Sequence, residues 1–196
     1  MKDYGFILLA YLSGSIPYGL LLTYIFGGVD IRQIGSGNIG TTNVLRTGRK
    51  SLAAATLACD TLKGFLPVYG AAHFGIADTA LYLVAFTAIL GHVFPIWLKF
   101  KGGKGVATSL GVFAALSWPL GLFAALMWIL VGRLTKISSL SALCSFTISP
   151  IFAVLVLSKE LPLFTLVVTL LIFWTHRSNI QRLMKGRETE IGESGI

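Results

Sequence analysis

Three short polar segments hold most of the residues in this chain that can do chemistry on a phosphate. The first runs Asp30-Ile-Arg-Gln-Ile-Gly-Ser-Gly-Asn-Ile-Gly-Thr-Thr-Asn-Val-Leu-Arg46. Gly35, Gly37 and Gly40 permit positive φ, so successive backbone N–H groups are expected to converge on an anion. Ser36, Asn38, Thr41, Thr42 and Asn43 add neutral donors, and Arg46 adds charge. The glycines spell GxGxxG, and Asp60 follows the last of them by twenty residues. A dinucleotide fold is nevertheless excluded, because that fingerprint belongs to a βαβ unit and this segment lies between two long apolar stretches.

The second segment, Lys99-Phe-Lys-Gly-Gly-Lys-Gly-Val-Ala-Thr108, opens another apolar run. Gly102, Gly103, Lys104 and Gly105 therefore stand at an expected helix N-terminus, where unpaired N–H groups and the helix dipole favour anions. The segment is only half a Walker A motif: Leu98 occupies the place of the first glycine, and Gly105 that of the Mg²⁺-binding hydroxyl. Phosphate binding without nucleotide hydrolysis is the expectation. In the third segment, His176 to Glu188, the last apolar run continues as a helix with His176 and Asn179 on one side and Arg182 nearby. His92, beside Phe94 and Pro95, reads as a packing residue and ranks below His176 as a base. There is no GxSxG elbow, no HExxH and no cysteine near a basic loop. Cys59 and Cys144 lack CxxC spacing and read as packing residues. No metal or other cofactor is implied.

The elements that must position these segments are membrane helices. The 196 residues are 55% hydrophobic and only 12% charged, against roughly 25% charged in soluble domains, and the mean hydropathy is +0.79. The net charge of +8 has no soluble module or aromatic-laced basic stripe to serve nucleic acid. Phosphates of lipids or small metabolites are the expected partners. Apolar stretches run over 4–26, 51–74, 79–98, 105–132, 137–157 and 161–175, most of them near the ~20 residues that a crossing helix requires. The 28 residues of 105–132 are long for one helix, and Ser117, Trp118 and Pro119 look like a turn. If that stretch crosses twice, thirteen Lys and Arg share one face and only Lys2 and Lys159 the other; if once, the division is eight against seven. The positive-inside rule favours the former. The expectation is one all-α membrane domain over 1–196, with seven crossings, the N-terminus outside and the C-terminus cytoplasmic. Asp60 and Lys63 fall mid-membrane and three apart, which reads as a mutually neutralising structural pair.

Taken together, the segments resemble the bacterial acyl-phosphate:glycerol-3-phosphate acyltransferase family, also called the PlsY family. The likeness rests on Gly14-Ser-Ile-Pro17 with Gly19, GSGNIGTTNVLR at 35–46, Asp60 with Leu62-Lys63-Gly64, GHVFP at 91–95, FKGGKGVAT at 100–108, and HRSNIQRL with Gly186 and Glu188. Thr41 replaces a residue that is often Ala, and Ala142 interrupts a serine-containing stretch, which leaves the roles of Ser139 and Ser141 open. The resemblance implies acyl transfer from acyl phosphate to the 1-hydroxyl of glycerol 3-phosphate, giving lysophosphatidic acid at the cytoplasmic face of the bacterial inner membrane. It implies catalytic roles for Ser36, Arg46, Lys104, His176 and Asn179, glycerol-3-phosphate binding by the Gly102–Gly105 loop, and a structural role for Glu188. It also implies an acyl-phosphate-forming enzyme as a partner. His73 and Asp78 form a literal HxxxxD, a signature of thioester-dependent glycerolipid acyltransferases, but in the short outer loop, away from every phosphate-binding feature. An anion transporter is the competing class. Against it stand the one-sided distribution of cationic residues and the lack of repeated halves. A noncatalytic scaffold for the acyl-phosphate-forming enzyme is a third.

Overall fold

The computed structural model describes residues 2–76, 78–157 and 161–193. Every regular element among them is helical. The chain divides into two compact units, Met1–Leu116 with Gly192–Ile196, and Ser117–Ile191, where the sequence reads as one domain.

In the first unit the opening apolar stretch is two helices, α1 (Lys2–Ser15) and α2 (Tyr18–Gly27), meeting at a 40° bend. Pro17 lacks an N–H and fits poorly in a helix interior, so the expected single span is broken. In a bilayer the carbonyls released by a break need partners. Lys63 supplies one, donating from Nζ to the Ile16 carbonyl at 2.7 Å. Its helix, α4 (Lys50–His73), packs against α1, α2, α5 (Asp78–Val93) and α6 (Val106–Leu116), and against the short helix α3 (Thr41–Leu45). Lys63 Nζ also lies 2.8 Å from Asp60 Oδ1, with both side chains buried. The contact between α4 and α6 is backbone on backbone. A methyl carbon on Gly64 would lie 2.3 Å from the Thr108 carbonyl oxygen, and one on Gly111 2.0 Å from that of Thr61. Small residues allow such approach where apolar lipid supplies no hydrophobic drive between helices.

The 105–132 stretch is likewise divided, into α6 and α7 (Trp118–Thr135), with Ser117 extended between them. Pro119 falls in the first turn of α7, where no N–H is needed. The second unit continues with α8 (Ser138–Val156) and α9 (Leu161–Thr175). Hydroxyls link these helices: Ser145 donates to the Ala124 carbonyl and Thr169 to that of Phe146, each at 2.7 Å. Phe123 stacks on Phe152 with ring centroids 4.1 Å apart. The expected continuous helix after α9 is interrupted, because the chain turns by 65° at His176 into α10 (Arg177–Met184). Among the described residues, three helices are long and apolar enough to cross a membrane, or up to five if each bent pair is one span.

The α4–α6 contact generates a stability test. Gly111→Val forces a branched side chain against the Thr61 carbonyl, and overpacking of this kind costs about 1–3 kcal/mol. The midpoint of thermal unfolding in detergent should fall by several degrees. Gly5→Ala, at a helical position with open space around it, should not lower the midpoint.

Candidate active site

The first phosphate-binding candidate is a knot tied around one side chain. Asn43 is buried, and its Nδ2 donates to the carbonyls of Ile31 at 3.0 Å and of Ile34 and Asn38 at 2.9 Å. Its Oδ1 accepts from the Ser36 N–H at 3.1 Å and from Arg46 Nη1 at 3.5 Å. The Arg46 side chain lies over Gly35: a methyl carbon there would be 2.9 Å from Arg46 Cδ, and the φ of +52° is left-handed. Ile31, Ile39, Val44 and Ala53 form a small core beneath the loop. At its start, Asp30 accepts from the N–H and guanidinium of Arg32, and those hydrogen bonds hold its carboxyl at about 2.

This geometry revises the expectation that loop amides converge on an anion. The N–H of Ser36 goes to Asn43, that of Gly37 to the Ile34 carbonyl, that of Asn38 to Ser36 Oγ at a long 3.5 Å, and that of Gly40 to Asn38 Oδ1. Asn43, expected as a phosphate donor, has its N–H groups engaged by three carbonyls. The loop instead presents side chains, namely the exposed Ser36 and the half-buried guanidinium of Arg46.

The glycine loop before α6 shows the same economy. Gly102 N–H donates to the Val93 carbonyl and Gly103 N–H to that of His92, both at 3.1 Å. Gly102 and Gly103 therefore do not offer their amides outward, as the sequence suggested. They are glycines because the loop lies directly on α5: a methyl carbon on Gly102 would be 2.1 Å from the His92 carbonyl oxygen, and one on Gly103 2.0 Å from His92 Nε2. His92 is buried, as expected of a packing residue, with Nδ1 3.1 Å from Thr108 Oγ1 and 3.8 Å from Asp60 Oδ1. The Lys104 side chain beside the two glycines is half-buried, and the N–H groups of the first turn of α6 have no partner within the helix.

In the second unit, His176 and Asn179 are both buried. His176 Nδ1 lies 2.8 Å from the Ile172 carbonyl. A carbonyl only accepts, so this bond requires the proton on Nδ1 and makes Nε2 the basic nitrogen of the neutral ring. Asn179 Nδ2 donates to Glu188 Oε1, which also accepts from Ser139 Oγ at 2.8 Å, while Arg182 Nε donates to Oε2 at 2.7 Å. Partial burial raises the Glu188 pKa, but the hydrogen bonds from Arg182, Asn179 and Ser139 outweigh it and hold the carboxyl below its usual range. The Asn179 amide oxygen is buried without a hydrogen-bond partner among the described residues. Ser139, whose role the sequence left open, anchors the carboxylate that orients Asn179. Its only sequence signal is a place shortly after Lys136.

His73 ends α4, exposed and stacked on Tyr69; the side chain of Asp78 falls outside the described residues, as does Lys159. Both cysteines are free and partly buried. No cluster of metal-ligating side chains occurs among the described residues.

Residues 4–186 match the family model described as glycerol-3-phosphate acyltransferase. The glycerol-3-phosphate acyltransferase of Rhodopseudomonas palustris (strain BisB5) is 54% identical over 187 residues, 95% of each chain. That of Gluconobacter oxydans (strain 621H) is 52% identical over 94% of this chain and 90% of its own. Among solved structures, the crystal structure of PlsY (YgiH), an integral membrane glycerol 3-phosphate acyltransferase, in its glycerol 3-phosphate form superposes with a TM-score of 0.90 at 36% identity, covering 97% of this chain and 96% of the other. The lysophosphatidic acid form gives 0.89 at 35% identity, covering 97% and 95%. The all-helical architecture matches that integral membrane fold, and the chain belongs to the glycerol-3-phosphate acyltransferase family.

Proposed function

We propose that this protein transfers a fatty acyl group from acyl phosphate to the 1-hydroxyl of sn-glycerol 3-phosphate, releasing inorganic phosphate and lysophosphatidic acid. One observation carries the reading. The similar solved protein is described in a glycerol 3-phosphate form and a lysophosphatidic acid form, and these two molecules differ by one acyl group. An acyl phosphate donor suits this reaction. An acyl phosphate is a mixed anhydride with a good leaving group, so direct attack by the hydroxyl needs orientation and charge neutralisation more than a covalent intermediate. Two phosphate-bearing substrates also fit two basic loops.

In this mechanism Arg46, with Ser36, and Lys104 at the head of α6 hold the phosphates. The unpartnered Asn179 oxygen suits a glycerol hydroxyl, and Glu188 keeps that amide oriented. The attacking oxygen forms the ester bond to the acyl carbon, the bond from that carbon to the phosphate oxygen breaks, and the hydroxyl proton passes to His176 Nε2 or to a substrate phosphate oxygen. No cofactor enters the scheme. The membrane reading is seven crossings with the N-terminus outside and the three basic segments cytoplasmic, in the inner membrane of a bacterium. It is supported by the charge division and by the break at Ser117. An acyl-phosphate-forming enzyme is the natural supplier of the donor.

Purified protein in detergent, given acyl phosphate and glycerol 3-phosphate, should form lysophosphatidic acid, whereas an anion carrier would give flux in vesicles and no product, and a scaffold no turnover. Arg46→Ala and Lys104→Ala should each lower kcat/KM by about 10²-fold or more, the scale of losing a charged contact to a substrate, with the Lys104 loss falling mainly on the KM for glycerol 3-phosphate. Wild-type kinetics in both folded variants would remove the phosphate-holding role.

Two further outcomes separate this reading from a thioester-dependent HxxxxD enzyme. His73→Ala should keep near-normal turnover with acyl phosphate. With Cys59 and Cys144 replaced by Ser, a cysteine at His73 should react with an outside label in intact cells and one at Met184 only with a cytoplasmic label. Finding both on one side would overturn the seven-crossing arrangement.

A further inference from the structure

We infer that His92 is a positioning residue for the glycine loop, holding the Gly102–Gly105 turn and the start of α6 where Lys104 meets its phosphate. This rests on the assignment of that loop to glycerol 3-phosphate. The imidazole and its backbone contact three neighbours at once. The His92 carbonyl accepts the Gly103 N–H at 3.1 Å. Ring Nδ1 lies 3.1 Å from Thr108 Oγ1, in the first turn of α6. On the other edge, Nε2 sits where a Gly103 side chain would begin, 2.0 Å from the position of a methyl carbon. On the Nδ1 side, Asp60 Oδ1 is 3.8 Å away and is itself paired with Lys63.

The ring is 4% exposed and the loop covers it, so His92 supports the loop from beneath and is no general base. GHVFP and GGKG are thus two parts of one construction, the first a floor and the second the turn that rests on it. Removing the floor lets the turn sink or tilt, and small displacements of a positioned charge are enough to weaken a substrate contact. Because the phosphate of the acceptor is held before and during reaction alike, the loss should appear mainly in KM.

The test compares KM and kcat for both substrates in detergent-purified variants whose thermal midpoints stay near wild type. His92→Ala should raise the KM for glycerol 3-phosphate about tenfold or more while leaving kcat and the KM for acyl phosphate within about twofold. Thr108→Val, which removes only the hydroxyl partner, should raise it about threefold, and His92→Asn, which keeps a polar group toward Thr108, should recover part of the loss. Gly103→Ala should be damaging alone yet no worse than His92→Ala when the two are combined, because the ring it strikes is gone. Should His92→Ala fail to fold, Thr108→Val and Gly103→Ala carry the test. Folded variants with a wild-type KM for glycerol 3-phosphate, or with equal losses toward both substrates, overturn the inference. Lys104→Ala, measured beside them, separates the two layers. If it raises that KM and the His92 series does not, only the positioning role fails; if it too leaves the KM unchanged, the loop assignment falls and the inference with it.

Discussion

The first unit depends on the ion pair of Asp60 and Lys63, 2.8 Å apart and almost wholly buried on α4. Each charge alone would cost about 2.5–3.5 kcal/mol at the centre of a membrane helix, so neither tolerates the absence of the other. Removing one partner of a buried pair typically costs about 3–5 kcal/mol. The pair also has work on both sides of α4. Lys63 satisfies the Ile16 carbonyl at the break between α1 and α2, beside Pro17, where the chain bends. Asp60 stands behind His92, and His92 stands behind the glycine loop. The buried pair thus lies 3.8 Å from the ring against which the glycine loop packs.

Both basic loops are tied to the protein through their own amides. In solution-exposed glycine-rich loops the amides are often left for the ligand. Here the N–H groups of Ser36, Gly37, Gly40, Gly102 and Gly103 all have protein acceptors, and what reaches outward is a hydroxyl, a guanidinium and an ammonium. Long cationic side chains on a hydrogen-bonded base suit a reaction whose main demand is to hold two like-charged substrates against each other, since a loop whose amides are already bonded has less backbone freedom to lose on binding. Glu188 plays the corresponding part in the second unit, where three donors fix it and it fixes the Asn179 amide.

Much of this was legible in the residues. Apolar run lengths located the helices, Ser117-Trp-Pro119 marked the division between α6 and α7, and the excess of Lys and Arg on three segments marked the basic loops. The bend at Ile16 was also within reach, because Pro17 interrupts a run that length alone reads as one span. Other features depend on contacts far apart in sequence and leave no local trace. Nothing near Gly103 says that its N–H belongs to residue 92, and the composition of 35–46 suits an anion cradle and an Asn43-centred knot equally. The turn at His176 follows an apolar helix without a proline or glycine to announce it. Ser139 gave no sign that its partner lay forty-nine residues on.

The central claim is that acyl transfer is direct, with the acceptor held in place and no acyl group ever on the protein. Inorganic phosphate release from acyl phosphate, followed in detergent first without and then with glycerol 3-phosphate, tests it most directly. No release above enzyme-free hydrolysis is expected until the acceptor is added, and then phosphate and lysophosphatidic acid in equal amounts. A burst of phosphate comparable to the enzyme concentration in the absence of acceptor would mean that an acyl-enzyme forms, and would contradict the account.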